Sequence, residues 1–162
     1  KETFHHLLVG FPIAFQPTIH QPALELMPYT IQKTILIIDD DESLRNLLQI
    51  ILETADIQTI RAANAGEALT ALHDHSKSIQ GVLLDLNLNQ LKGEDFYDVI
   101  VAIDPGIAIF PMSGCITEEI EERFAGKAIA GIITKPFSPA SLMETITEGF
   151  ARKPNENIPK VV

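Results

Sequence analysis

Short apolar runs alternate with amphipathic stretches along the chain from Thr34 onward. The runs are bounded by turn residues, which is typical of strands buried on both faces of a parallel sheet. They predict five strands, at residues 35–38, 57–62, 82–84, 107–110 and 132–133. The stretches between them carry apolar residues at helical spacing and predict five helices, at residues 42–54, 65–73, 93–103, 117–124 and 138–150. This alternation indicates an α/β domain with a doubly wound parallel sheet.

The helical stretches also indicate which residues face inward and where each helix begins. The residues expected to face the core are Leu44, Leu47, Leu48, Ile51 and Leu52 on the first helix and Ala68, Leu69 and Leu72 on the second. Asp41, Thr117 and Ser138 stand at helix starts, where a side-chain oxygen accepts a backbone N–H. Pro139 follows Ser138 at a position where its missing N–H costs nothing.

Polar residues follow four of the five predicted strands. Asp39 and Asp40 follow the first strand, Asp85 the third, Ser113 the fourth and Lys135 the fifth. The carboxyl ends of parallel strands meet at one edge of a doubly wound sheet, so these side chains are expected to converge in one pocket. Clustered carboxylates repel one another unless a cation or a helix amino terminus compensates.

The side chains in this pocket indicate its chemistry. Asp39 and Asp40 suit Mg²⁺, which needs only a few oxygen ligands besides water. A carboxylate beside a bound cation, as expected for Asp85, can act as a nucleophile toward phosphorus. Lys135 supplies a countercharge that reaches a phosphoryl oxygen, and Ser113 supplies a hydrogen-bond donor. The alternative is that the acids only cap a helix or begin a loop.

Composition and charge narrow the class of protein. The chain has 162 residues, of which 12 are basic and 22 acidic, and its net charge of −10 disfavours binding to nucleic acids and anionic membranes. No apolar stretch is long enough to cross a bilayer, and residues 1–33 lack the pattern of a signal peptide. The single Cys115 fits a reducing compartment. These features predict a cytoplasmic protein without nucleic-acid or direct membrane contact.

The regular pattern also sets the predicted domain boundaries. In residues 1–33 the charges of the basic and acidic residues cancel, and prolines interrupt any helical or strand period. This segment is therefore interpreted as a linker with one candidate strand at 3–9. Residues 34–152 form the predicted domain, and residues 153–162 a C-terminal tail.

The strand-end residues together resemble the receiver domains of two-component signalling. The resemblance covers residues 34 to about 152 and rests on four motifs: Asp39-Asp40 after ILII, Asp85 after VLL, Ser113-Gly114, and Lys135-Pro136-Phe137. It implies a (βα)5 flavodoxin-like fold with strand order 2-1-3-4-5. It also implies a self-modifying phosphoacceptor rather than an enzyme that turns over a substrate.

The resemblance implies a role for each motif. Asp85 would take a phosphoryl group from a phosphohistidine on a histidine kinase or histidine phosphotransfer protein, and Ser113 and Lys135 would contact the phosphoryl oxygens. The implied Mg²⁺ ligands are Asp39, Asp40, Asp85 and the backbone carbonyl of Asn87. The Lys135-Pro136 peptide bond would be cis. The output would be a changed surface on the last two helices and strands, through which a homodimer could also form.

Several positions depart from the family pattern. Ile132 stands where many receivers have a Tyr or Phe whose rotation reports phosphorylation, which calls the relay from the hydroxyl to that aromatic residue into question. Asn89 and Lys92 replace a proline and an aspartate that are common after the acceptor, which predicts a less rigid loop. Asn87 and Cys115 are expected to flank the path of attacking water and to tune the phosphoryl lifetime.

A finer resemblance concerns the context of the domain. Ser113-Gly114-Cys115, the segment 122–127 and Ala130-Gly131 are similar to receivers at the carboxyl end of hybrid sensor histidine kinases. The chain is therefore interpreted as the terminal module of a hybrid kinase, with a stand-alone regulator as the alternative.

Two other functions stay open at the level of sequence. A haloacid-dehalogenase-like phosphatase also uses an aspartyl nucleophile, Mg²⁺ and a lysine, but it requires a second carboxylate two residues after the nucleophile, where this chain has Asn87. A pseudo-receiver, which only binds partners, predicts no Mg²⁺ binding, and the intact set of acids argues against it.

Overall fold

The computed structural model describes residues 33–88, 93–114 and 117–152. Within these ranges the strands are β1 (Thr34–Ile38), β2 (Gln58–Ala62), β3 (Ile79–Asp85), β4 (Ala108–Ser113) and β5 (Ile133–Thr134). The helices are α1 (Glu42–Thr54), α2 (Ala65–His75), α3 (Gly93–Ile103), α4 (Thr117–Arg123) and α5 (Pro139–Ala151). The candidate strand at 3–9, the tail at 153–162 and the side chain of the predicted cap Thr117 lie outside the described residues.

The strands form one parallel sheet in the order β2-β1-β3-β4-β5. β1 pairs with β2 on one side and with β3 on the other, and β3, β4 and β5 follow in sequence order. The winding direction therefore reverses between β1 and β3, which makes the carboxyl ends of these two strands the switch point where doubly wound proteins bind ligands. The predicted fold and strand order are confirmed.

Two apolar clusters hold the helices on the two faces of the sheet. Successive residues of a strand point to opposite faces. Ile35 and Ile37 of β1 accordingly belong to the cluster under α1 and α5, and Leu36 and Ile38 to the cluster under α2, α3 and α4. All four side chains are fully buried, and burial of such a side chain contributes about 1.5–3 kcal/mol. The central strand before the switch point is thus anchored from both sides.

Two residues that the sequence pattern assigned to the core are exposed. Leu47 on α1 is 48% exposed and Leu69 on α2 is 40% exposed, so these two predictions are wrong. Each lies beside a fully buried neighbour, Leu48 or Ala68. Consecutive helical residues point about 100° apart around the helix axis. The part of each helix surface that the sheet buries is narrower than the apolar face in the sequence, so Leu47 and Leu69 at its margin remain exposed.

The central strands are longer than predicted. β3 begins at Ile79, although Gln80 and Gly81 interrupt the apolar run. Gln80 accepts a hydrogen bond from the N–H of Thr34 at 2.7 Å, and a Cβ on Gly81 would lie 2.8 Å from the ring of Phe150. The strand starts early because Ile79 pairs with Thr34 of β1, and Gly81 pairs with both Ile35 of β1 and Ala108 of β4. A short apolar pattern cannot reveal this pairing.

The predicted caps at two helix starts are confirmed. The side chain of Asp41 accepts the N–H groups of Ser43 and Leu44 at the start of α1. Ser138 forms a reciprocal capping box with Ser141 at the start of α5. Among the described helices, none combines the length and the apolar character that a membrane span requires.

Candidate functional site

Three carboxylates meet at the switch point. Asp39 directly follows β1 and Asp85 ends β3, and the pairing of Ile38 with Leu84 brings the two acids side by side. Asp39 is 1% exposed and Asp85 is 4% exposed, whereas Asp40 is exposed. One oxygen of each of the three lies within 4.8 Å of the others. The structure therefore brings together the acids that the sequence pattern assigned to one pocket.

The side chain of Lys135 bridges the two buried acids. Its Nζ lies 2.8 Å from Oδ2 of Asp39 and 3.0 Å from Oδ1 of Asp85. Hydrogen bonds between charged groups of this kind are roughly twice as strong as neutral ones. One ammonium thus holds together two carboxylates that would otherwise repel each other.

The backbone of Lys135 is fixed by the end of β4. Its N–H donates to the carbonyl oxygen of Ser113 over 2.7 Å, next to the paired residues Ser113 and Thr134. The following Lys135-Pro136 peptide bond is cis, as the family resemblance implied. Ser113 is completely buried, and its neighbour Met112 pairs with Asp85. Ser113 and Lys135 therefore lie at the same edge of the sheet as the acids.

The electrostatic environment favours protonation of Asp85. Burial raises the pKa of the Asp85 carboxyl above its ordinary value of 3.8, and the negative charge of Asp39 acts in the same direction. Lys135 and the backbone N–H of Asn87 oppose this by stabilising the carboxylate, but they do not outweigh burial. A further cation at the carboxylates would therefore stabilise the ionised form that a nucleophile needs.

The contacts with the two acids stabilise the charged form of Lys135. Burial by itself would lower the pKa of Lys135, but its hydrogen bonds and attraction to Asp39 and Asp85 outweigh burial and raise that pKa above 10.5. Lys135 thus carries its positive charge throughout the physiological pH range.

Asp39 is held by groups that the sequence pattern did not single out. The N–H of Asp41 donates to Oδ1 of Asp39 at 2.9 Å, and Nη1 of Arg45 donates to the carbonyl oxygen of Asp39 at 2.5 Å. Arg45 lies in the first turn of α1 and reaches back over the start of its own helix. In the sequence it is a single basic residue on an amphipathic helix, with no spacing that distinguishes it from a surface charge.

The carboxylate cluster suits a small divalent cation. It offers three oxygen donors within reach of one ion, and Lys135 balances only one of their three charges. Mg²⁺ prefers such ligands and keeps several waters, for which the exposed side of Asp40 leaves room. Within the described ranges, this is the one cluster of acidic, histidine or cysteine side chains with such geometry.

The remaining residues of the predicted site lie around the carboxylate cluster or outside the described ranges. Asn87 is exposed just beyond β3. Ile132 is partly buried and packs against the cluster under α2, α3 and α4. Asn89, Lys92 and the side chain of Cys115 lie outside the described residues.

Comparisons with known proteins agree with this geometry. Residues 35–147 match the family model of the response regulator receiver domain. The chemotaxis protein CheY of Halobacterium salinarum is 29% identical over 72% of this chain and 95% of that protein. The DNA-binding response regulator MtrA of Mycolicibacterium smegmatis is 30% identical over 78% of this chain, which spans only 54% of MtrA. A CheY-like receiver domain protein from Methanospirillum hungatei superposes with a TM-score of 0.66 at 27% identity, over 74% of this chain and 94% of that one.

The matched region contains all the site residues and every described strand except the first residue of β1. It begins in β1, before Asp39, and ends within α5, after Lys135. The strand order, the acids at the switch point and the family match lead to one conclusion: the chain belongs to the response regulator receiver domain family.

Proposed function

We propose that Asp85 accepts a phosphoryl group from a phosphohistidine on a histidine kinase or a histidine phosphotransfer protein. The observation that carries this proposal is the position of the Lys135 ammonium, 2.8 Å from Asp39 and 3.0 Å from Asp85. This arrangement sets a cation beside a carboxylate where negative charge accumulates during phosphoryl transfer. The output of the domain would be a changed protein-binding surface.

The transfer itself requires only one nucleophile from this chain. An oxygen of the Asp85 carboxylate forms a bond to phosphorus while the bond from phosphorus to the histidine nitrogen breaks. The bonding electrons pass to the imidazole, which leaves as a neutral ring after taking up a proton. The aspartyl phosphate is later hydrolysed when water attacks phosphorus and the carboxylate leaves, so the domain returns to its first state.

The proposed Mg²⁺ ligands are Asp39, Asp40, Asp85 and the backbone carbonyl of Asn87. When bound, the ion would neutralise charge on the phosphoryl oxygens and the carboxylates. Lys135 would exchange a contact with a carboxylate for one with a phosphoryl oxygen. The hydroxyl of Ser113 would donate a hydrogen bond to another phosphoryl oxygen. Both residues are fixed by the end of β4, which supports these roles.

A protein donor fits the surface beside the pocket. α1 begins two residues after Asp40, and its side chains Leu47 and Ile50 are 48% and 64% exposed. Large apolar side chains that are exposed together mark protein-binding surfaces more often than isolated ones. They would give a phosphohistidine protein an apolar contact on the helix that begins beside the acids.

We also propose a context for the domain. The motifs around Ser113 and Gly131 support a place at the carboxyl end of a hybrid sensor histidine kinase. The single Cys115 supports a cytoplasmic location, and the net charge of −10 disfavours contact with nucleic acids and anionic membranes. A homodimer through α4, β5 and α5 belongs to the same proposal. Mass spectrometry of the native gene product tests the hybrid context, because a kinase region adds its mass to the chain.

The test of phosphoryl transfer uses acetyl phosphate as a small donor. With Mg²⁺, the intact mass of the protein should increase by one phosphoryl group, and Asp85→Asn should abolish the increase. Asp74→Asn, an exposed acid on α2, serves as the matched control and should retain it. Absence of both labelling and Mg²⁺ binding would favour the pseudo-receiver, whereas many turnovers of phosphomonoester hydrolysis would favour the phosphatase.

A further inference from the structure

The start of α3 lies directly against the backbone of the proposed acceptor. A Cβ atom on Gly93 would lie 2.5 Å from Cδ2 of Leu86, 2.9 Å from Cα of Leu86 and 3.3 Å from the carbonyl oxygen of Asp85. Leu86 and Gly93 are seven residues apart, so this contact lies within the connection from β3 to α3. Because closely packed groups move together, a shift of the Asp85 and Leu86 backbone has to be taken up by the first turn of α3.

One face of α3 in turn holds the end of α4. Glu94 and Asp98 are four residues apart and therefore lie on the same side of the helix. Glu94 forms an ion pair with Arg123, the last residue of α4, and Asp98 forms one with Lys127. Both pairs join α3 to the segment that leads from α4 toward β5.

Tyr97 adds a hydrogen bond and ring contacts between α3 and the same segment. Its hydroxyl donates to the carbonyl oxygen of Ala128 over 3.0 Å, and its ring meets Phe124 edge to face at 5.7 Å. The Nζ of Lys127 lies 4.7 Å from the centre of the same ring. We call these contacts the α3–α4 clamp; its members are Glu94, Tyr97, Asp98, Arg123, Phe124, Lys127 and Ala128.

The Glu94–Arg123 pair is the most sheltered charged contact of the clamp. Its two side chains are 19% and 25% exposed, whereas Asp98 in the second pair is 65% exposed. Water screens a sheltered pair less than an exposed one. Glu94 also follows Gly93 directly, so it is the clamp residue closest in the chain to the contact with Leu86.

We infer that α3 transmits the state of Asp85 to α4 through the α3–α4 clamp, with the Glu94–Arg123 pair as its decisive contact. The inference rests on the proposed function, because the phosphoryl group on Asp85 is the input. That group adds volume and negative charge to the side chain of Asp85, whose backbone contacts the start of α3. Ile132 has no polar group with which to report this change, whereas the clamp consists largely of polar and charged contacts.

Hydrogen exchange of the backbone amides in residues 119–124 tests the coupling. Phosphorylation of wild-type protein should change their exchange rates by about 2- to 30-fold, the range of measured coupling energies. Arg123→Gln should still be phosphorylated to the same extent but should lose most of this change, and Arg123→Lys should retain it. Asp98→Asn, in the exposed pair, is the matched control and should also retain it. If Arg123→Gln alters exchange equally with and without phosphate, the pair is only structural and the inference is overturned.

A second experiment tests the coupling between α3 and α4 without phosphorylation. Gly93→Ala pushes on Leu86 from the side of α3 and should change exchange in α4; in the Arg123→Gln background it should not. If Gly93→Ala does not fold, Leu86→Ala, which removes the other side of this contact, is used in the same cycle. Equal effects in both backgrounds overturn the coupling. Failure of wild-type protein to gain a phosphoryl group overturns the proposed function instead, and the intact mass separates the two results.

Discussion

The backbone N–H of Lys135 donates to the backbone carbonyl of Ser113 over 2.7 Å. This bond extends the pairing of β4 with β5 by one residue. The position of Lys135 therefore depends on strand register and not only on attraction between its side chain and the acids. Substitutions of the side chain are expected to test the chemistry of the pocket without displacing its walls.

We expect Lys135→Ala to keep the fold but to abolish any partner response to phosphorylation. Asp39 and Asp85 would lose their shared cation, so without Mg²⁺ the free energy of unfolding at pH 7 should fall by about 1–3 kcal/mol, toward the lower end because the lysine side chain is 25% exposed. Urea denaturation measures this change, and Lys77→Ala at an exposed position should stay within about 0.5 kcal/mol. A partner response that persists in Lys135→Ala would remove this role.

The difference in unfolding free energy between wild type and Lys135→Ala should also depend on pH. Because the folded-state pKa of Lys135 lies above 10.5, its stabilising effect is complete below that value and is lost as pH rises through the higher pKa. The unfolding free energies of wild type and Lys135→Ala should therefore converge in alkaline solution. A constant difference from pH 7 to strongly alkaline pH would contradict this assignment.

Asp85→Asn should stabilise the metal-free protein at neutral pH. The folded-state pKa of Asp85 is above 3.8, so the native state binds protons that the unfolded state releases, and stability falls as pH rises through this window. Removing the ionised group should raise the free energy of unfolding at pH 7 by about 0.5–2 kcal/mol. Denaturation curves should show this gain shrinking as pH falls toward and below 3.8, and a gain independent of pH would exclude the electrostatic cause.

Asp40 and Asp41 provide a matched pair for the metal site. Asp40→Ala removes an exposed proposed ligand, so the Mg²⁺ affinity measured by calorimetry should fall by about tenfold or more. Asp41→Ala removes the cap of α1 and should lower stability by about 0.5–2 kcal/mol while leaving Mg²⁺ affinity nearly unchanged. Equal loss of affinity in the two variants would mean that the acids act only through general charge.

The fold was predictable because the strand and helix periods are strong and regular. β1 and the start of α1 follow from one apolar run and one capping acid, Asp41. The beginning of β3 does not follow from the sequence pattern, because Gln80 and Gly81 break the apolar run and the strand depends on the pairing of Ile79 with β1 and of Gly81 with β1 and β4. Leu47 and Leu69 were assigned wrongly because the width of the buried stripe depends on how closely each helix packs.

The candidate site was predictable where strand ends specify it. Asp39, Asp85 and Lys135 were placed together because parallel strands end at one edge, and their contacts confirm that placement. Arg45 was not found, because its role depends on a side chain that reaches back to a carbonyl oxygen. The link from Gly93 to Leu86 was likewise invisible, since it requires the distance between two backbones.

The packing of α5 on β4 leads to a prediction about stability alone. A Cβ on Gly149 would lie 2.3 Å from the ring of Phe110 and 2.9 Å from the carbonyl oxygen of Ala130. Gly149→Ala should therefore destabilise the protein by about 1–3 kcal/mol despite its better helix propensity. Gly66→Ala, on an exposed position of α2 where the Cβ would lie 3.3 Å from Oδ1 of the capping residue Asn64, should change stability by no more than about 1 kcal/mol. Thermal denaturation of both variants checks the contrast, and a stable Gly149→Ala would show that α5 can shift.

The two edges of the sheet limit how this domain associates with other proteins. β5 is only two residues long, and β2 carries the exposed polar side chains Gln58 and Arg61. Short or charged edge strands are poor templates for pairing with a strand of another chain. In the part of the chain that the structure describes, recognition is thus left to the helices and to the loops at the carboxyl edge, and aggregation by strand addition is disfavoured.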